Sequence, residues 1–221
     1  MLVDTISRSI SSVNALRAAK DQKTSIDTYQ KALKQVNNTA ILLQNTLDCI
    51  NLINNNHIKF DNPVFTEEIR QSLFEYANAC GKAVYNNELT ADMARTFQSQ
   101  VQSLSKDLRK EWKTASADYT EEVLGYLSLI AGITDNPKYY RDMADSIREI
   151  CENPPTSKSV SDLIHKVRSA KAVVDKFSLN PAIESFLKKV SSRQATIADL
   201  TPEVMNWLKE NRLAGKLKIR F

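Results

Sequence analysis

Glycine and proline are absent from the first 62 residues and absent again from Lys82 to Leu124. The chain has only four glycines and six prolines in 221 residues. The glycines lie far apart, at Gly81, Gly125, Gly132 and Gly215. No phosphate-cradling loop of the GxxxxGK[ST] or GxGxxG type can be built from them, which excludes kinases, NTPases and nucleotide-dependent dehydrogenases of those designs. Histidine is scarce as well. His57 and His165 show no HxxxH spacing, so a histidine-based metal site would have to join separate elements. Three cysteines, Cys49, Cys80 and Cys151, are an odd number without CxxC spacing. They fit buried free thiols in a reducing cytoplasm better than a disulfide framework. A continuous apolar core of the secretory kind is missing from Met1 to Lys20. The longest apolar run, Val123 to Ile133, falls short of the roughly 18 residues a membrane span needs. The expectation is a soluble, cytoplasmic protein without a cofactor.

What the chain does have is charge, unevenly placed. Residues 1–157 carry 17 Lys/Arg against 20 Asp/Glu, a balance of −3, and residues 158–221 carry 13 against 6, a balance of +7. The net charge of +4 thus comes from the C-terminal part, an asymmetry that suits contact with nucleic acid, anionic lipid or an acidic protein.

It also has helical periodicity. Ile26, Tyr29, Leu33, Val36, Ala40, Leu43, Leu47 and Ile50 step by three and four, a heptad seam that favours supercoiling against another helix. The spacing predicts one helix from about Leu2 to Ile53, stopped by Asn54-Asn55-Asn56. Asn62-Pro63 reads as a cap and first helical position, and the second helix is expected from about Pro63 or Thr66 to Tyr85. Thr90 then caps a long helix with apolar positions Met93, Phe97, Val101, Leu104, Leu108, Trp112, Ala115, Tyr119, Val123, Leu127 and Ile130. That series approaches an 11-residue repeat, the pattern of a straighter helix with several neighbours. Val123 to Ile133 is apolar nearly all round, so this end is expected to be enclosed.

Beyond Gly132 the punctuation returns. Asn136-Pro137 starts a helix, and Asn153-Pro154-Pro155 is the strongest break in the chain and coincides with the charge shift. Further helices are expected near Ser159 to Phe177, Pro181 to Ser192 and Pro202 to Asn211. Thr196 to Thr201 before the last of these resembles the second half of a winged helix-turn-helix, with the departure that only one helix follows Leu200. Lys216 to Phe221 alternates basic and apolar residues, the pattern of a half-buried strand. The fold class expected is therefore all-α: an elongated helical hairpin or bundle with coiled-coil character over 1–133, a connecting helix and Pro-Pro hinge over 134–157, and a small basic helical domain over 158–221 ending in a short β-like segment.

Such a chain is expected to be a non-enzymatic interaction or scaffold subunit of a larger intracellular complex, docking protein partners through its coiled-coil face and its basic C-terminal region. The heptad face is expected to pair within the chain or with a second copy as a homodimer. Candidate partner-binding residues are Trp112, Tyr119, Trp207, Leu217, Ile219 and Phe221, because aromatic anchors dominate interface energetics. An alternative is a nucleic-acid-binding accessory factor acting through residues 158–221. Its candidate phosphate contacts are Lys166, Arg168, Lys171, Lys188, Lys189, Arg193, Lys216, Lys218 and Arg220. A third reading, a helical effector enzyme, would centre on His57, Asp61 or Cys151. No catalytic or metal residue is assigned.

Overall fold

The computed structural model describes the backbone of residues 2–215 and the side chains of residues 14, 17, 18 and 20–215. It is all-α: α1 spans Leu2–Asn55, α2 Glu67–Tyr85, α3 Ala91–Ala131, α4 Pro137–Glu152, α5 Ser157–Val174, α6 Pro181–Ser191 and α7 Pro202–Glu210. Two single turns of 3-10 helix, Asp175–Phe177 and Ile197–Asp199, follow α5 and precede α7. The expected terminal β-like segment, Lys216 to Phe221, lies outside the described residues.

Two compact units result. The first combines residues 1–47 with 63–107, and the second combines 48–62 with 108–221. The long helices α1 and α3 therefore each contribute to both units, and the Pro154-Pro155 break joins α4 and α5 inside the second unit.

In α1 the inward positions differ from the simplest apolar reading. Ala32, Thr39, Thr46 and Ile53 are buried at intervals of seven residues, with Ile50 and Cys49 beside them. Tyr29, Val36 and Leu43 are half-buried, as the heptad spacing predicts, whereas Ala40 is exposed and Ile26 is 50 % exposed. Leu33 and Leu47 are half-buried too, but the fully buried positions Ala32, Thr39 and Thr46 lie one residue before Leu33, Ala40 and Leu47. Two buried threonines are tolerable because each hydroxyl donates to its own helix: Thr39 Oγ1 to Gln35 O and Thr46 Oγ1 to Leu42 O, both at 2.8 Å. Each then presents its methyl group to the interior without leaving a donor unpaired.

In the first unit, Tyr29 OH donates to Val84 O at 3.2 Å and ties α1 to α2. Gln35 Nε2 donates to Gln98 Oε1 at 2.6 Å and ties α1 to α3. The 11-residue period holds over most of α3: Phe97, Val101, Leu104, Leu108, Trp112, Ala115, Val123, Leu127 and Ile130 are buried, while Met93 and Tyr119 are half-buried beside the buried Ala94 and Thr120. Enclosure of the Val123 to Ile133 end is partial, because Gly125 and Ser128 face outward.

Asn62-Pro63 does not begin α2. Thr66 is the N-cap, accepting from Ile69 N, while Asn62 is held elsewhere. Its backbone N–H donates to Glu111 Oε2 at 3.0 Å and its Nδ2 to Glu111 Oε1 at 2.9 Å. A carboxylate with two such donors keeps its charge, and those hydrogen bonds from Asn62 hold the Glu111 carboxyl below the usual range.

The second unit is built from short helices with explicit starts. Asn136, Thr156, Asn180 and Thr201 each accept a backbone N–H from the first turn that follows, and α4, α6 and α7 carry proline in that turn. α4 packs on α5 and α6 on α7. One cluster of buried residues contains Ile133, Ile183, Phe186, Leu187, Val204, Trp207, Leu208 and Leu213. Each fully buried large side chain contributes about 1.5–3 kcal/mol. Tyr126 OH donates to Glu184 Oε1 at 2.7 Å and links α3 to α6.

Glycine's scarcity has a visible cost at the helix ends. His57, Asn87, Arg193 and Arg212 follow α1, α2, α6 and α7 with φ of 58°, 60°, 58° and 57°, the left-handed conformation that glycine normally supplies. The hydrogen bonds are those of the Schellman motif: Ile58 N to Ile53 O at 3.2 Å, Glu88 N to Ala83 O at 2.8 Å, Gln194 N to Lys189 O at 2.8 Å and Leu213 N to Leu208 O at 2.7 Å. Ile58 and Leu213, next after two of these residues, are buried and anchor the reversed chain.

Candidate functional site

The tryptophans proposed as partner anchors belong to the core. Trp112 is 1 % exposed and Trp207 4 %, so neither side chain offers a surface to a partner. Their polar ends differ: the Trp207 indole N–H donates to Phe177 O, whereas the Trp112 Nε1 is buried with no hydrogen-bond partner among the described residues. Tyr119 is half-buried on α3. Leu217, Ile219 and Phe221, with Lys216, Lys218 and Arg220, lie outside the described residues.

The basic residues of α5 and α6 occupy varied settings. Lys166 is half-buried. Arg168 is exposed and donates to Asn56 Oδ1 at 3.2 Å. Lys171 is exposed, with its Nζ 4.0 Å from Glu122. Lys189 pairs with Asp199, whose carboxyl also accepts Thr196 N at 2.8 Å and Thr196 Oγ1 at 2.9 Å. Those donors, Lys189 foremost, bring the Asp199 carboxyl down to about 2. Lys188 and Arg193 are exposed, with no carboxylate within ion-pairing distance among the described residues.

The residues of the enzyme reading do not converge. His57 ends α1, and no hydrogen bond joins it to Asp61 among the described residues. His165 is exposed on α5. Burial pushes the Cys49 thiol up to about 11 and raises Cys80. Cys151 is half-buried, with its Sγ 3.8 Å from Ser116 O and 3.9 Å from Thr120 Oγ1. Burial raises this thiol too, against smaller opposing effects of those hydrogen bonds. All three thiols therefore keep their protons at neutral pH, and the thiolate is the reactive form. Cys151 lies at a groove of about 510 Å³ between α3 and α4, where Lys113, Asp118, Glu121 and Arg148 surround Ala117 and Leu124. Among the described residues no group of three or more His, Cys, Asp and Glu is placed to hold a metal ion, and no helix is long and apolar enough to cross a membrane.

A surface that the apolar spacing does not single out lies on α2. The inward side of this helix uses Leu73, Cys80 and Ala83. On the opposite side Phe74 is 60 % and Tyr85 88 % exposed. Between them Ala77, Asn78, Gly81 and Lys82 line a shallow groove of about 390 Å³ that Tyr85 and Asn86 close. Phe74, Asn78, Gly81 and Tyr85 follow at steps of four, three and four, so they share one helix face. Gly81 has no positive φ, and a Cβ added there would meet nothing within 4 Å. Glycine inside a helix costs about 0.5–1 kcal/mol relative to alanine, and neither backbone conformation nor crowding within the described chain requires it here. The signal was in the sequence: Phe74 falls out of phase with the Ile69, Leu73, Tyr76, Cys80 series, and the only glycine of α2 sits in its interior.

No family model matches the chain, and no curated protein or solved structure matches it.

Proposed function

We propose that the protein is a non-enzymatic helical interaction subunit of a larger complex, docking protein partners through surfaces of its long-helix region and its basic C-terminal region. The observation that carries this reading is the outward face of α2, where the exposed rings of Phe74 and Tyr85 share one side of the helix with a groove lined by Ala77, Asn78, Gly81 and Lys82. Exposed aromatics in pairs around a shallow groove suit protein recognition, because rings bury large area for little lost side-chain freedom. The test is a Phe74→Ala, Tyr85→Ala double variant of the full chain, compared with wild type by quantitative mass spectrometry of co-purifying proteins. Both residues lie outside the core, so helicity and Tm should stay unchanged while specific partners are lost. An identical set of partners from both proteins, with the oligomeric state also unchanged, would remove α2 from the interaction and with it the support for this reading.

A second reading, nucleic-acid contact through residues 158–221, draws on Lys188 and Arg193, which are exposed without carboxylate partners among the described residues. It requires salt-sensitive binding of a duplex or single strand by the full chain, weakened by Lys188→Glu with Arg193→Glu. Absence of binding at low ionic strength would eliminate it.

A further inference from the structure

We infer that the occupant of the α2 face is a second copy of this chain, its α2 lying antiparallel across the first about a two-fold axis near Asn78 and Ala79. The inference rests on the reading of that face as an interaction surface and goes on to name its partner. The face carries opposite charges on either side of its centre. Glu75, which accepts from Gln71 Nε2 at 2.9 Å, precedes the small residues, and Lys82 follows them, on the same edge. Neither makes an ion pair among the described residues. An antiparallel copy sets Glu75 opposite Lys82 of the second copy and Lys82 opposite its Glu75, two equivalent pairs generated by one symmetry operation. A parallel copy, related by an axis along the helices, would put the two charged edges on opposite sides of the pair and leave Glu75 and Lys82 without these partners. The same operation brings Phe74 of each copy within a turn of Tyr85 of the other, so the exposed rings at both ends of the groove cover each other.

Near the crossing point stand Asn78 and Gly81, with Ala77 beside them. Their small side chains let two helices approach closely, and this accounts for a glycine that the described chain's own packing leaves in open space. The arrangement is isologous: one patch, complementary to itself, closes on a dimer and goes no further.

The decisive experiment is sedimentation velocity of the full chain across a micromolar concentration series, with circular dichroism to verify that each variant is folded. Wild type should show a concentration-dependent monomer–dimer equilibrium. Glu75→Lys alone and Lys82→Glu alone should each raise the dimer Kd about tenfold or more, since each creates two like-charge contacts. The double reversal should restore it to within about threefold, because the pairs re-form with exchanged signs. Asn78→Cys, placed at the axis, should give a disulfide-linked dimer on mild oxidation. A wild type that stays monomeric throughout overturns the inference. So does a dimer indifferent to both single reversals, or one that both reversals weaken and their combination fails to restore. If the chain is monomeric but Phe74→Ala, Tyr85→Ala still strips co-purifying proteins, the docking face stands and its occupant is a different protein. If neither effect is seen, both readings fall.

Discussion

Between Ala91 and Ala131 the chain makes one helix of 41 residues; from Pro137 to Glu210 it makes four, of 16, 18, 11 and 9 residues. The two regions are held in different ways. A helix leaves four backbone donors and four acceptors without partners at its ends, whatever its length. In α3 those groups are a small share of the total, and a single cap, Thr90 accepting from Met93 N at 3.2 Å, suffices. In α7 they are nearly half, and there the chain supplies a threonine cap, a first-turn proline and a Schellman ending. The interiors differ too. The long helices bury Ala32, Thr39, Thr46, Ser116 and Thr120 among their apolar positions, whereas the core around α6 and α7 is made of large apolar side chains. Long helices gain cooperativity from length and tolerate small or hydroxylated residues inside; short ones depend on their ends and on bulk.

The comparison can be broken most forcibly at the two tryptophans. Truncating either Trp112 or Trp207 to alanine should cost about 3–5 kcal/mol in urea unfolding. Phenylalanine separates them. Trp207→Phe leaves the Phe177 carbonyl without its indole donor, while Trp112→Phe removes an N–H that has no partner among the described residues. The α7 substitution should therefore be the more damaging by about 1–3 kcal/mol. Equal losses would mean that the Trp112 N–H is satisfied after all and that the two cores are alike in polar economy.

A smaller effect, of opposite sign, is expected at the helix ends. Arg193→Gly and Arg212→Gly should each stabilise the chain. The left-handed conformation costs a non-glycine residue about 1–2 kcal/mol, partly offset by the extra freedom glycine gives the unfolded chain. The net gain should stay below about 1 kcal/mol, a Tm rise of up to about 2–4 °C for a chain of this size. Asn87→Gly, at the end of the longer α2, should change little, because asparagine already tolerates that conformation. A loss of stability at either arginine would show that its side chain does more than end a helix.

The smallest effect is a pH dependence confined to the short-helix region. The Asp199 carboxyl is depressed from its ordinary 3.8 to about 2 by Lys189 and Thr196. A depressed acid stabilises the folded state above its unfolded value, so the contribution is complete above about pH 4 and is lost as pH falls through about 2. Asp199→Asn should flatten this part of an acid titration of stability and leave the neutral plateau nearly unchanged. A variant with an unaltered acid limb would place the acid sensitivity elsewhere, with Glu111 the next group to examine.

Much of this architecture is legible in the residues. The spacing from Phe97 to Ile130 marks the buried side of α3, and Asn-Pro or Thr-Pro pairs mark the starts of α4, α6 and α7. What is hidden follows from two habits of this chain. Four of its helices, α1, α2, α6 and α7, reverse on histidine, asparagine and arginine instead of glycine, so the left-handed turns at Arg193 and Arg212 leave no compositional trace. Its α1 buries threonines whose hydroxyls bond to their own helix, so an apolarity ranking selects Leu33, Ala40 and Leu47, each one residue away from the buried position. Asn62-Pro63 reads as a helix start because the competing claim on Asn62 comes from Glu111, far away in sequence. Trp112 stands in the apolar series of α3 and is legible as inward there, whereas nothing in the spacing around Trp207 separates a core residue from a partner anchor. The α2 face leaves little mark on the apolar pattern, because Phe74 and Tyr85 stand outside the core periodicity of that helix.

The inward hydroxyls of α3 bear on how the protein can be regulated. Ser116 and Thr120 have no exposed surface, and Thr120 Oγ1 is held at 2.8 Å from Ser116 O. A kinase needs its acceptor hydroxyl free and the backbone around it drawn out into an active site. Reaching either residue would require opening the middle of a 41-residue helix together with the core it supports. A phosphate left there would bring close to two negative charges into an apolar interior. Phosphorylation can therefore modulate the folded protein only at outward hydroxyls, and at these inner ones it would keep the chain from refolding for as long as the phosphate stayed.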